Sequence, residues 1–237
     1  MKILLIGYGR MGKEVHQVLT ERGHEATCII DVHNKKQLPA IDKENIDVAI
    51  EFTRPDIAFD NVMACISKNI PVVTGTTGWN EKLSEIHAIC KEKNGTFLYA
   101  SNFSIGVNIL FAINKKLASL MNGQPQYNAN IEETHHIHKK DKPSGTAITL
   151  AEQLTDNIER YTSFQLDFKN PGVIPITANR KDEVFGDHKI TYTSPIDELT
   201  IAHSAKSRKG FALGAVIAAE HIAKKKGIFT MNDVLGI

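Results

Sequence analysis

The sequence predicts a doubly wound parallel α/β sheet for residues 1–104, followed by an α+β region with a mixed sheet. Apolar runs and helical patterns alternate five times in the first half, and the first apolar run leads into a glycine-rich turn. After about residue 104 this alternation stops and more polar strands replace the apolar runs. With 237 residues, 42% hydrophobic and 23% charged, the chain can form two modest domains, and a disordered or fibrous chain is excluded.

The predicted strands of the first half are short apolar runs, as expected for strands that helices cover on both faces. After the first strand, Met11, Val15 and Val18 recur at helical spacing and predict a helix. Pro55 suits the first turn of a later helix. The five predicted strands are residues 3–6, 26–30, 48–52, 71–74 and 97–99.

In the second half of the chain, the sequence predicts a helix over 107–120, a polar strand over 128–134 and a helix that begins near Ser144. From residue 174 onward we expect antiparallel strands, with 190–193 and 199–202 on either side of a turn at 195–197. A last helix is predicted over 211–225, ending at Gly227.

Charge and cysteine content exclude several classes of protein. The net charge is +1, so a general nucleic-acid binder is not expected. Cys28, Cys65 and Cys90 form no CxxC pair, and we predict reduced thiols in a cytoplasmic protein. No apolar run approaches 18 residues, so no membrane span is expected.

A G-x-G-x-x-G motif lies directly between the first predicted strand and its helix. Such glycines permit a tight turn, close approach to a pyrophosphate and close helix packing, and the helix N-terminus attracts phosphate. Asp31 ends the second strand, where an acid can bind ribose hydroxyls; the alternative is a turn needed only for packing. The pattern is typical of a Rossmann-type dinucleotide-binding domain, and the candidate cofactor residues are Gly7, Tyr8, Gly9, Arg10, Met11, Gly12 and Asp31.

Two polar loops follow the fourth and fifth strands. Ligands of open α/β sheets bind at the carboxyl ends of the strands, so we expect these loops to contact the nicotinamide half of the dinucleotide. Without the glycine motif, each would be interpreted as an ordinary turn. The candidate residues are Gly75, Thr76, Thr77, Ala100, Ser101, Asn102 and Phe103.

A basic segment over 133–146 contains three histidines and then a helix start at Ser144-Gly145-Thr146. Histidine exchanges protons near neutral pH, and lysine and a helix N-terminus attract anions, so the segment suits an anionic substrate that must be protonated. A solvated charged loop is the alternative. A metal site of His135, His136 and His138 is not predicted, because adjacent side chains on an extended chain point apart and no carboxylate or cysteine spacing completes the shell.

These motifs together resemble the 4-hydroxy-tetrahydrodipicolinate reductases, also called dihydrodipicolinate reductases. The resemblance covers nearly the whole chain, and its most specific part is Glu133-x-His135-His136-x-x-Lys139-x-Asp141-x-Pro143-Ser144-Gly145-Thr146-Ala147. Where many members have glutamate followed by arginine, this chain has Asp31 followed by Val32. The other matching segments are Gly7–Lys13, 51–55, 75–78, 100–108, Arg180, 186–188, 203–208, Phe211, 214–215 and 227–235.

The resemblance implies a dinucleotide-binding domain over 1–104 with 213–237, and a substrate-binding and tetramerisation domain over 105–212. It implies reduction of 4-hydroxy-tetrahydrodipicolinate in lysine and diaminopimelate biosynthesis, with NADH or NADPH supplying hydride to a conjugated C=C/C=N system. By the same resemblance, His135 is the general acid and Lys139 assists, while His136, Gly145 and Thr146 hold the carboxylates of a small dicarboxylate substrate. A cytoplasmic homotetramer without a metal, a nucleic acid or a membrane as partner is expected.

Two alternatives remain open at the level of the sequence. One is a related dehydrogenase that acts on an imine or amino acid, and the other is a regulator that senses a dinucleotide without catalysis. A sensor would not need His135 and Lys139 together beside the Ser144-Gly145-Thr146 helix start, so their presence favours an enzyme.

Overall fold

The computed structural model describes residues 1–34, 38, 40–168 and 170–237. They form two compact units: Met1–Ile105 with Arg208–Ile237, and Gly106–Ser207. The division of function between 1–104 with 213–237 and 105–212 stays a prediction. Among the helices that are described, none has both the length and the apolar character that crossing a membrane requires.

The first unit contains a parallel six-stranded sheet in the order β11-β5-β4-β3-β1-β2. Helices cover both faces of this sheet, as the doubly wound pattern predicts. Its elements are β1 (Lys2–Ile6), α1 (Arg10–Glu21), β2 (Glu25–Ile30), β3 (Val48–Glu51), α2 (Pro55–Ser67), β4 (Val72–Thr74), α3 (Leu83–Glu92), β5 (Thr96–Tyr99), α6 (Lys209–Ile222), β11 (Gly227–Phe229) and α7 (Met231–Leu235).

Alternate side chains of the central strands enter two separate cores. On β1, Ile3 and Leu5 pack with α1 and α6, whereas Leu4 and Ile6 pack with α2 and α3. This double burial explains why the strand is a continuous apolar run. Because all strands of this sheet are parallel, their carboxyl ends lie at one edge of the sheet, and the polar loops begin there.

All five strands predicted for the first half are present, each within one residue of its predicted bounds. The helix predicted over 211–225 is α6, which ends at Ile222, and the chain then adds β11 beside β5 and the unpredicted short helix α7. This sixth strand was not predicted, because three residues are too few to show a period.

The second unit contains a mixed five-stranded sheet in the order β10-β9-β6-β8-β7, as the predicted α+β class requires. Side chains of α4 and α5 pack with one face of the sheet in a single core. The elements of this unit are α4 (Ile105–Asn122), β6 (Asn128–His135), α5 (Gly145–Asn157), β7 (Ser163–Leu166), β8 (Val173–Arg180), β9 (Asp187–Thr193) and β10 (Glu198–Ser204).

The direction of one strand was predicted wrongly. β9 and β10 form the predicted antiparallel hairpin, with Ile190 opposite Ile201. In contrast, β8 runs parallel to both β6 and β7, with Ile131 opposite Ile176. Side-chain alternation identifies the buried face of a strand but not its direction, and the crossover through α5 makes the pairing parallel. The short strand β7 was not predicted.

Candidate active site

The glycine turn between β1 and α1 leaves open space beside a helix N-terminus. Gly7 has φ +96°, and a Cβ atom there would lie 1.9 Å from the carbonyl oxygen of Phe52. A Cβ on Gly12 would lie 2.1 Å from the oxygen of Gly7, whereas a Cβ on Gly9 would meet nothing within 4 Å. Gly9 is the N-cap of α1 and no side chain caps it. Two glycines are thus needed for packing, and the third leaves room for a ligand at the start of the helix.

A pocket of about 400 Å³ begins at this turn and extends to the end of β2. Asp31 lies in its wall, and its Oδ1 accepts a hydrogen bond from the His33 backbone nitrogen at 2.8 Å. The Asn34 side chain accepts one from the Asp31 backbone nitrogen at 2.7 Å, so the turn after β2 holds the acid in place. The pocket is lined by Ile6, Gly7, Tyr8, Gly9, Ile30, Asp31, Val32, His33, Phe52, Thr53, Arg54, Ile57 and Asn61.

A second pocket of about 340 Å³ shares part of this wall. Its lining includes most of the predicted residues of the glycine turn and of the loop after β4, namely Gly9, Arg10, Met11, Gly75, Thr76 and Thr77, together with Phe52, Thr53 and Pro55. An uncapped helix N-terminus, open space at Gly9 and an acid beside it fit a dinucleotide.

The predicted loop after β5 does not line either of these two pockets. Phe103 is buried, and its ring packs edge-on against Phe52 at 5.8 Å between centroids. The Asn102 side chain accepts a hydrogen bond from the Ser104 backbone nitrogen at 2.8 Å, while Ala100 donates its backbone N–H to Thr74 at 3.3 Å. Ser101 is exposed in the same loop. The role of these residues with cofactor stays a prediction.

In the second unit, β6 places two ionisable side chains inside the protein. Alternation along the strand buries Glu133 and His135, which are 1% and 8% exposed. The Glu133 carboxylate accepts the Ser144 backbone N–H at 3.1 and 3.2 Å and lies 3.4 Å from both terminal nitrogens of Arg180. This buried carboxylate is therefore compensated by a cation and by a donor at the start of α5.

Arg180 also fixes the basic loop between β6 and α5. Its Nε donates to the Lys139 carbonyl at 3.2 Å, and another guanidinium nitrogen donates to the Asp141 carbonyl. The Lys139 ammonium binds the Asp141 carboxylate at 2.7 and 2.9 Å. Burial alone would raise the pKa of Asp141, but the bonds to Lys139 outweigh it and lower that pKa. The basic loop is thus held by several contacts, and the alternative of a merely solvated loop does not describe it.

Two histidines pack against each other beside Glu133. The rings of His135 and His188 are 5.1 Å apart between centroids, and His188 Nε2 lies 3.2 Å from the Ser144 hydroxyl. Burial lowers the pKa of His135; Glu133 opposes this shift, and Lys139 adds to it. Burial, with the nearby histidines and Lys139, lowers the pKa of His188 to about 3. Both imidazoles are therefore held neutral near neutral pH.

The start of α5 is the candidate anion site of the second unit. Ser144 caps the helix, its hydroxyl accepting the Ala147 backbone N–H at 3.3 Å. A Cβ atom on Gly145 would meet nothing within 4 Å, and half-buried Thr146 follows it. The predicted His136 is half-buried, with its ring 6.1 Å from that of exposed His138. An open helix N-terminus close to a histidine–lysine loop can bind carboxylates.

Three residues of this cluster had no role in the sequence-based prediction, although the motifs of the resemblance contain them: Glu133, Arg180 and His188. The strand register explains their place, because His135 lies opposite Arg180 on β8, and Glu133 lies opposite His188 on β9. Buried charged residues in predicted strands are a signal that could have identified them.

One set of side chains, different from the three histidines weighed above, has the spacing of metal ligands. One ligand atom each from Glu133, His135 and His188 lies within 4.8 Å of the others. However, the carboxylate already accepts the Ser144 N–H, and the positive charge of Arg180 opposes a cation there. We therefore interpret the cluster as an acid–base site.

Comparison with known proteins assigns the family. A model of the dihydrodipicolinate reductase N-terminus matches residues 1–103, and a model of the C-terminus matches residues 106–235. The 4-hydroxy-tetrahydrodipicolinate reductase of Christiangramia forsetii is 47% identical over 99% of this chain and 98% of its own length. That of Akkermansia muciniphila is 35% identical over 100% of this chain and 98% of its own length.

Solved structures share the fold. The dipicolinate-bound dihydrodipicolinate reductase of Paenisporosarcina sp. TG-14 is 22% identical with a TM-score of 0.74, over 97% of both chains. An amine dehydrogenase of Mycobacterium smegmatis is 10% identical with a TM-score of 0.63, over 98% of this chain and 95% of its own. At such identities the likeness concerns the fold alone, so it does not support the alternative of an imine dehydrogenase. The family models and the full-length relatives decide the assignment: this chain belongs to the dihydrodipicolinate reductase family, a family of oxidoreductases.

Proposed function

We propose that the protein reduces 4-hydroxy-tetrahydrodipicolinate to tetrahydrodipicolinate with NADH or NADPH, a step of lysine and diaminopimelate biosynthesis. The observation that carries the proposal is the acid–base cluster around His135, beside the open start of α5, in a member of this family. A substrate with two carboxylates suits this cationic environment. The dipicolinate named with the Paenisporosarcina reductase is a ligand of the same class.

In the first unit, the open backbone at Gly9 and the uncapped start of α1 bind the pyrophosphate of the dinucleotide. Asp31 accepts hydrogen bonds from the adenosine ribose. Thr76 and Thr77, with the loop over 100–103, hold the nicotinamide half. When bound, the dinucleotide supplies a hydride to an electron-poor carbon of the substrate.

In the second unit, His136 and the Gly145-Thr146 start of α5 hold the substrate carboxylates. Loss of the 4-hydroxyl group as water leaves a conjugated C=C/C=N system in the substrate. Hydride addition to this system leaves negative charge that a proton must neutralise, and His135 donates that proton while Lys139 stabilises the charge. Burial lowers the pKa of His135 in the protein without substrate, so His135 is neutral there. It must therefore become protonated when the substrate binds. Two bound carboxylates favour imidazolium by their charge, so the dianionic substrate itself prepares the acid.

A coupled assay tests this function. Aspartate semialdehyde and pyruvate, converted by the preceding synthase, provide the unstable substrate, and the absorbance of NADH or NADPH reports turnover. We expect oxidation of the nucleotide only when all components are present. No oxidation by a protein that binds the nucleotide would contradict the proposed reaction.

Replacing Thr146 by valine is expected to raise the KM for substrate by about 10-fold, because a hydroxyl that donates to a carboxylate is lost. Cofactor affinity and folding are expected to remain unchanged. Steady-state kinetics measure the effect, and Thr146→Ser, which keeps the hydroxyl, is the matched control with near-normal KM. Equal KM values for the valine variant and the wild type would contradict a carboxylate site at Thr146.

Both cofactors are expected to work, with a preference within about tenfold, or roughly 1.4 kcal/mol. Asp31 favours NADH, because its charge repels the 2′-phosphate of NADPH. His33, Lys35, Lys36 and Arg10 can offset this repulsion; Lys35 and Lys36 lie outside the described residues.

Replacing Asp31 by alanine is expected to shift the ratio of kcat/KM towards NADPH, because the repulsion is removed. Asp31→Asn separates charge from geometry, since the amide oxygen can still accept the His33 N–H. Measuring kcat/KM for both cofactors in the three proteins checks this. A wild-type preference beyond about a hundredfold, or an unchanged ratio in the alanine variant, would show that Asp31 does not bind the ribose.

A further inference from the structure

The first unit contains a second buried carboxylate, and no cation of the described residues forms an ion pair with it. Glu51, the last residue of β3, is 0% exposed. None of the ion pairs among the described residues includes it. Burial raises its pKa, and only hydrogen bonds oppose this shift. Burying an unpaired carboxylate is costly, so a residue that needs only to fill this space would not be glutamate.

Three threonine hydroxyls donate to this carboxylate. Thr74 Oγ1 lies 2.5 Å from Oε2, Thr76 Oγ1 lies 3.0 Å from Oε1, and Thr53 Oγ1 also donates to Oε1. They come from the end of β4, the loop after β4 and the loop after β3 respectively. One carboxylate therefore joins two loops that the strand order places side by side.

The charge of Glu51 also sets the direction of these hydrogen bonds. Because the hydroxyls donate to Glu51, their oxygens are left to accept, and the Thr76 oxygen accepts the Thr53 backbone N–H at 2.7 Å. The Thr53 oxygen accepts from the Asn61 side chain at 3.2 Å. A carboxylate can accept from all three hydroxyls, whereas an amide would turn one of its two ends into a donor.

The two loops form part of the wall of the 340 Å³ pocket. Thr53 and Thr76 both line it, whereas Thr74 lines neither this pocket nor the larger one beside it. The packing between the loops is tight, since a Cβ atom on Gly75 would lie 2.0 Å from the Phe52 ring. A change in the spacing of the loops would therefore change the shape of the pocket.

We propose that ionised Glu51 is a positioning residue, which holds the loops after β3 and β4 at the separation that the dinucleotide requires. It touches neither cofactor nor substrate and acts through Thr53 and Thr76. The inference rests on one part of the proposed function, namely that this pocket binds NADH or NADPH.

Glu51→Gln tests the proposal, because it keeps the shape and removes the charge. We expect the Kd for NADH, measured by fluorescence titration without substrate, to rise by about 10-fold. The Kd for pyridine-2,6-dicarboxylate, a probe of the second unit, is expected to change less than about 2-fold. Glu220→Gln is the matched control: it removes a carboxylate of the same unit that accepts from Arg22 and His24, and it is expected to leave both Kd values unchanged.

Thr74 provides a second test that does not depend on the folding of the Glu51 variant. Thr74→Val keeps the shape but removes one donor to Glu51, and we expect NADH binding to weaken by about 3-fold or more, although Thr74 lines neither pocket. Thr74→Ser keeps the hydroxyl and is expected to bind NADH within about 2-fold of the wild type.

Unchanged NADH affinity in Glu51→Gln or Thr74→Val would overturn the proposal, as would equal weakening of both ligands or an effect of Thr74→Ser equal to that of Thr74→Val. These results are distinct from failure of the proposed function. A wild-type protein that binds NADH but does not turn over the substrate would refute the reaction and leave the role of Glu51 testable by binding.

Discussion

Replacing His135 by glutamine is expected to lower kcat by about 10²–10⁴-fold, the usual effect of losing a general acid. Glutamine keeps hydrogen-bonding capacity but cannot deliver a proton near neutral pH. The Kd for NADH is expected to stay within about 2-fold of the wild type, because His135 lies in the second unit and the dinucleotide turn in the first. Steady-state kinetics and fluorescence titration measure the two effects separately.

His138→Gln is the matched control, since this histidine of the same basic loop is exposed and has no proposed role. It is expected to keep near-normal kcat. Near-normal turnover by the His135 variant would remove His135 from the role of general acid, and an equal loss in the two variants would indicate a general effect on the loop.

Acid is expected to destabilise the protein through His188. Its pKa is about 3 in the folded state, below the ordinary value of 6.5, so the unfolded chain binds the proton first. The contribution of His188 to stability is complete above pH 6.5 and is lost as the pH falls towards 3. The loss is about 2 kcal/mol near pH 5, and at most roughly 4–5 kcal/mol.

Burial is the largest cause of the lowered pKa of His188, and the positive groups that face it add to the shift. Glu133 and His135 approach it from β6, and Ser144 approaches it from the start of α5. His203 on β10 and Lys139 in the basic loop add positive charge that disfavours imidazolium. The Glu133 carboxylate lies 3.8 Å from His188 Nε2 and is already paired with Arg180.

Urea unfolding near pH 7 and near pH 5 measures this dependence. The free energy of unfolding is expected to fall between pH 7 and pH 5 in the wild type. In His188→Gln this fall is expected to be smaller by about 2 kcal/mol. His221→Gln is the control, because His221 is less buried and its variant should keep most of the wild-type dependence. A His188 variant with the full wild-type loss would contradict a neutral, buried His188.

Much of the fold could be predicted from local sequence. Three signals depend only on nearby residues: the continuous apolar run of β1, the positive φ of Gly7 and the proline at the start of α2. They indicate a strand buried on both faces, a tight turn and a helix start, respectively. The parallel first sheet and its glycine turn followed from such signals, and so did the hairpin of β9 and β10.

The remaining features depend on pairings between distant parts of the chain. The parallel direction of β8 and the position of Arg180 opposite His135 follow from strand register, which alternation alone does not specify. The bonds of Glu51 to Thr74 and Thr76 depend on β3 and β4 being neighbours. The sequence therefore predicted the glycine turn and the basic loop. It did not predict that Glu133 and Arg180 hold the basic loop, or that Glu51 joins the loops after β3 and β4.

Isotopic labelling tests most directly whether the protein transfers hydride from the dinucleotide to the substrate. NADH that carries deuterium at both C4 positions of the nicotinamide is supplied with enzymatically generated 4-hydroxy-tetrahydrodipicolinate, and the product is analysed by mass spectrometry. A parallel reaction with unlabelled NADH in deuterated water identifies the position that receives a solvent-derived proton. We expect a single deuterium from NADH in each tetrahydrodipicolinate molecule. A product without deuterium from NADH, or NADH that stays unoxidised although it binds, would contradict the proposed reductase.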